Sequence, residues 1–164
     1  MRLGHSILVA LFAGLPACAG HEAMMSDRAQ VFEEHVDAYQ AELDAHEREV
    51  SSAVDLRVVS GLEQEHIERA ATHMAALEAE MHDATSCSDS PDARALATMD
   101  DMARMEDECL RHRDAMAAAL DLATARSEEF SHRQTMSIMI KRMRLHATTL
   151  MDGMTSMACM HPED

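Results

Sequence analysis

Met102, Met105, Cys109, His112 and Met116 follow one another at spacings of 3, 4, 3 and 4, and His132, Met136, Met139, Met143, His146 and Leu150 at 4, 3, 4, 3 and 4. Such spacing puts each set on one face of a helix. A face of this kind packs well, and it also presents thioether, thiol and imidazole donors, the set that suits a soft ion such as Cu(I), with Zn or Ni as alternatives. Methionine taken singly is an adaptable core filler and a good helix former. The histidines weigh more. His35, His46, His66, His73, His112, His132 and His146 all lie on or beside apolar stripes, and burying imidazoles without partners costs about 2 kcal/mol or more each. Metal ions or facing glutamates are the partners such a core requires.

Four elements must position these groups. One internal loop is obvious, Thr85-Ser86-Cys87-Ser88-Asp89-Ser90-Pro91-Asp92, and the rest is rich in Ala, Glu, Met, Leu and Arg with hardly a glycine. A first helix is expected from Ser26, as its N-cap, to Ala53, with Ala29, Phe32, Val36, Tyr39, Leu43, His46, Val50 and Ala53 as its stripe. A second runs from about Leu56 to Ala84, separated from the first near Asp55 or around Ser60-Gly61. A third follows Ser90-Pro91 and runs to about Ala125, and a fourth runs from near Ser127 to about Met157. Short connections force neighbours to be antiparallel, so the fold class is all-α: an up-down-up-down four-helix bundle at 26–158, after a signal segment (1–17) and a tether (18–25), with a tail at 159–164.

Heights along antiparallel helices can be compared at about 1.5 Å per residue. His46, His66, Met116 and Met136 fall at one level, and His73, Cys109, His112, Met143 and His146 at a lower one, faced by Tyr39. Together with Met102, Met105 and Met139 these are the candidate metal ligands. Glu63/His66 and Glu129/His132 form two Glu-x-x-His pairs, half of a di-iron pattern. Ala117 to Leu120 lie opposite Glu63 on this register, with no inward glutamate to complete the pattern, so a di-iron site is not expected. Cys87 and Cys159 fall at the same end of the bundle and are the expected disulfide, which leaves Cys109 as a buried thiol and the best thiolate candidate. Met151, Met154, Met157 and Met160, with Cys159 and His161 between them, add a Met-rich tail.

The formal charge is −16, which excludes a nucleic-acid partner and fits a cationic one. Phe32, Tyr39 and Phe130 are the aromatic residues beyond the signal, too few for a haem or flavin pocket. No phosphate loop or nucleophile motif is present, and no enzyme is expected. Arg2, the apolar run Ile7 to Leu15 and Leu15-Pro16-Ala17-Cys18 resemble the signal and lipobox of bacterial lipoproteins. That resemblance implies cleavage before Cys18, lipidation of its thiol, and a membrane partner reached through the anchor. With Ala19 following, it implies the periplasmic side of the outer membrane rather than the inner membrane. The mature part also resembles exported copper-storage bundles in having donors line the core, although those use cysteine where Met and His stand here. The expected function is storage, buffering or delivery of a transition metal, Cu(I) first. The alternative is a structural or protein-interaction envelope lipoprotein with a Met-rich core and no metal.

Overall fold

A computed structural model of the chain describes the backbone of residues 16–85 and 93–158, and the side chains of residues 26–82 and 93–150. Its four helices are α1 (Pro16–Ser52), α2 (Leu56–Thr85), α3 (Ala93–Ala118) and α4 (Leu122–Ala158). Each packs against the next, and α4 closes the ring against α1, which gives the four-helix bundle expected from the stripes. Ser26 lies inside α1 rather than capping it. Among the described residues no helix is long and apolar enough to cross a membrane.

The two tight turns share one end of the bundle and one construction. Asp55 accepts a hydrogen bond from the Val58 amide (2.9 Å) to cap α2, and Asp121 accepts one from the Thr124 amide (2.7 Å) to cap α4. The first turn falls at the earlier of its two expected places. The second does not. Helix three was expected to reach Ala125, but it ends at Ala118, and α4 starts at Leu122 rather than near Ser127. Residues 117–119 are all alanine and neither glycine nor proline marks the break. The single carboxylate of Asp121 makes it.

The core consists of two apolar clusters. The larger contains Phe32, Val36, Tyr39, Leu43, Leu77, Met81, Met102, Met105, Met136, Ile140, Met143 and Leu150 among others; the smaller, beside the turns, contains Val50, Ala53, Val59, Met116 and Ala125. Along every helix a polar, buried residue lies between the two clusters: His46, Glu63, His66, His112, Glu129 and His132, with Glu108 buried one turn from His112. The bundle therefore carries a layer of imidazole and carboxylate across its interior.

Candidate metal centre

Each helix contributes one donor to the middle of this layer. His46 Nε2 on α1 lies 3.3 Å from Glu63 Oε2 on α2 and 3.2 Å from Glu129 Oε2 on α4. His112 Nε2 on α3 lies 3.2 and 3.1 Å from the same two oxygens. One ligand atom from each of the four residues lies within 4.8 Å of every other, and all four residues are buried. A tetrahedral ion with bonds of about 2.0–2.2 Å holds its donors roughly 3.3–3.6 Å apart. The four His–Glu edges of the quartet, 3.1–3.3 Å, are close to that length.

Its charges are balanced. Burial opposes protonation of His46 and His112, but hydrogen bonds to Glu129 and Glu63 outweigh it and lift both pKa values to about 9. Burial likewise pushes both carboxyls up, and the two histidines more than reverse it, holding Glu129 at about 2 and Glu63 lower still. Two imidazolium rings thus face two carboxylates at neutral pH. A divalent ion replaces two protons there without changing the net charge.

A second pair of imidazoles lies beside the first. The His66 ring stacks on His46 with centroids 4.0 Å apart, and His132 stacks on His112 at 3.9 Å. His66 Nδ1 is 3.2 Å from Glu42 Oε1, which also accepts from Arg69 Nε (2.8 Å). His132 Nδ1 is 3.1 Å from Glu108 Oε1, and Arg111 holds that carboxylate through Nε and Nη2 at 2.7 Å each. Burial and the neighbouring charged ring lower both histidines, His132 to about 4, so both are neutral. A neutral ring facing a carboxylate carries its proton on that side: Nδ1–H donates to the glutamate, and Nε2 keeps its lone pair.

All eight side chains obey one repeat. Glu42, His46, Glu63 and His66 recur as Glu108, His112, Glu129 and His132, every pair 66 positions apart (112 − 46), and the capping Asp55 recurs as Asp121. The hairpin α1–α2 is thus echoed by α3–α4, each carrying Glu-x3-His-x16-Glu-x2-His. Sequence reasoning compared stripes on neighbouring helices and missed this signal, which residue spacing one hairpin apart contains. Glu42 and Glu108 are the further inward glutamates held to be missing from the di-iron pattern. With the α3–α4 turn at 119–121, His112 rises towards the turn end and Glu129 sinks away from it, each by about one and a half turns, and both reach the level of His46 and Glu63.

The expected ligands divide accordingly. His46, His66 and His112 meet in the layer, and His132 joins them. Met116 packs in the cluster by the turns, Met102, Met105, Cys109, Met136 and Met143 pack in the larger cluster, and Met139 packs against it. His73 stacks on Tyr39 at 5.5 Å, and His146 Nδ1 pairs with Asp101 at 2.9 Å. The Cys109 thiol is 3.4 Å from the Tyr39 hydroxyl, and burial raises its pKa, which keeps its proton on. The lower donor level thus separates into pairs, whereas the quartet brings one ligand atom from each of four buried residues close enough to hold an ion. Cys18, Cys87, Cys159 and the tail from Met151 lie outside the residues whose side chains are described.

A cavity of about 340 Å³ between α2 and α3 reaches Glu63 and is lined also by Ser60, Gln64 and Arg113. Between α4 and α1 the corresponding face is bridged by Arg133 to Asp44 (2.8 Å) and Glu47 (3.2 Å), and by Arg126 to the Ala53 carbonyl (2.8 Å). Comparison with protein-family models, with curated proteins and with solved structures returns no match, so what the layer does must be argued from its own chemistry.

Proposed function

We propose that the chain binds a transition-metal ion in its core, for storage, buffering or delivery, without catalysing a reaction. One observation carries this: four helices place His46, Glu63, His112 and Glu129 at one level with ligand atoms 3.1–3.3 Å apart around the ring. Imidazole nitrogen and carboxylate oxygen suit borderline and hard divalent ions, Zn and Ni among them, better than Cu(I). Cu(I) bound by thioethers such as Met102, Met105 and Met143, or by the Met-rich tail, is the competing form of the same proposal. The cavity reaching Glu63 supports exchange of the ion rather than permanent burial. The lipobox-like Leu15 to Cys18 is the ground for proposing an exported, lipid-anchored protein facing the periplasm.

The test is a titration of the full apo chain with Co²⁺, Zn²⁺ and Cu(I) against a competing chelator, with the melting temperature read alongside. A divalent ion bound only by the folded state raises the melting temperature, and His46→Gln with His112→Gln lowers both affinity and that rise. Less than one equivalent of any ion, with no thermal shift, leaves the layer a structural ion-pair network and the protein an interaction or structural bundle. Binding of Cu(I) alone, untouched by the double substitution, moves the site to the methionines.

A further inference from the structure

The quartet uses half of the lone pairs in the layer. Glu63 and Glu129 each point Oε2 at His46 and His112, while their Oε1 atoms are buried with no hydrogen-bond partner. His66 Nε2 and His132 Nε2 are also buried and unpartnered, with their Nδ1 protons already given to Glu42 and Glu108. These four atoms are acceptors, and a buried acceptor is normally satisfied; His46 Nδ1 and His112 Nδ1 are unpartnered as well. A second cation among these four would satisfy them together.

We infer that the layer is a binuclear centre, in which a second divalent transition-metal ion is taken by His66, His132 and the Oε1 atoms of Glu63 and Glu129, so that both carboxylates bridge the two ions. This deepens the metal-binding proposal and rests on it. The rings fix the spacing. His46 and His112 supply one ion and His66 and His132 the other, and the two sets are stacked at 4.0 and 3.9 Å. That offset matches the separation of about 3.5–4 Å found in two-metal sites. Within each set the rings are disposed to share an ion. The His66 and His132 centroids are 5.7 Å apart and the His46 and His112 centroids 6.2 Å, both pairs nearly perpendicular. Two imidazoles on one ion, with bonds of about 2.0–2.1 Å, bring their centroids to roughly 5–6 Å. The carboxylates of Glu42 and Glu108, clamped by Arg69 and Arg111, do for His66 and His132 what outer carboxylates do for histidine ligands generally: they hold the ring and its tautomer. Four glutamates bring four negative charges to two divalent ions, and Arg69 and Arg111, which clamp two of those glutamates, pair also with Glu65 and Glu128.

The experiment is titration of the full chain with Co²⁺, followed by metal analysis after gel filtration and by electron paramagnetic resonance. Two equivalents are expected. Their resonance should be attenuated by coupling through the carboxylate bridges. His66→Gln with His132→Gln should retain one equivalent and recover the signal of an isolated ion, and His46→Gln with His112→Gln should do the same from the other side. One equivalent in the unmodified chain overturns the second ion while leaving the first. Two magnetically isolated ions, or two that persist in the His66/His132 variant, place the second ion elsewhere and overturn the bridge. No bound ion overturns the whole metal assignment. Should the variants fail to fold, as judged by circular dichroism, the count and coupling in the unmodified chain decide alone.

Discussion

On the proposed metal assignment, protons and metal would compete for His46 and His112, on terms set by the structure. Both rings are lifted from 6.5 to about 9 by Glu63 and Glu129. Through the neutral range both must therefore be deprotonated for an ion to bind. Because they share the same two carboxylates, the protons leave as a coupled pair. Apparent affinity for the quartet's ion should rise about 100-fold per pH unit, or about 2.7 kcal/mol, since each proton displaced contributes about 1.36 kcal/mol per unit. The steep rise should continue from pH 6.5 to near 9 and only then level off. Ordinary histidines would level off near 6.5 instead. Zn²⁺ competition titrations at half-unit steps of pH give the slope. Calorimetry in buffers of different ionisation enthalpy counts the protons independently. A slope that flattens by pH 7, or fewer than one proton released for the first ion, would mean that the two rings are neutral in the free protein and that the charge-balanced quartet is wrong.

Stability of the metal-free protein should follow the same groups. His46 and His112 have raised pKa values, so their contribution is complete below pH 6.5 and disappears as pH rises through about 9; thermal melts in the presence of chelator should show this decline, and saturating Zn²⁺ should remove it. His66 and His132 are lowered, His132 to about 4, so stability should also fall as pH drops from 6.5 through 4, with Glu63 and Glu129 adding loss below that. Glu129→Gln should cost about 3 kcal/mol in urea denaturation, because it leaves buried imidazolium charge with half its partners, and should weaken Zn²⁺ binding by more than tenfold. Asp121→Ala should cost about 1 kcal/mol by loss of the α4 cap, with metal stoichiometry unchanged. Met105→Leu and Tyr39→Phe should each change stability by less than about 1.5 kcal/mol and leave divalent-metal affinity intact, since neither side chain belongs to the layer; a large loss of affinity would return the site to the sulfur-bearing stripes.

The bundle was legible because the apolar positions of every helix keep a 3/4 rhythm that no other element satisfies. Buried histidines were legible for the same reason: His46, His66 and His112 lie on or beside an otherwise apolar face. Their partners were not. Glu42 sits one place before Leu43 and reads as the solvent edge of α1, and Glu108 sits one place before Cys109 in the same way; each becomes buried or nearly so only because a histidine from the next helix reaches it. The largest error came from a turn with no punctuation. Ala117 to Ala119 favour helix as strongly as any residues can, so the break shows only in the cap of Asp121. Moving that one turn displaced His112 by six residues and dissolved a four-histidine layer into two unrelated levels.

The 66-residue repeat gives that layer a mechanical meaning. Neither hairpin holds more than half of the ligands, and every ligand in one is matched by its counterpart in the other. The proposed ion between them would therefore be a rivet through two plates of nearly the same pattern. Its grip would exist only while the plates are closed, and the plates would stay closed more firmly while it is in place. Occupancy and closure of the two hairpins would become a single quantity, so that pulling the ion out through the α2–α3 opening and prying the halves apart would be two ways of doing the same work.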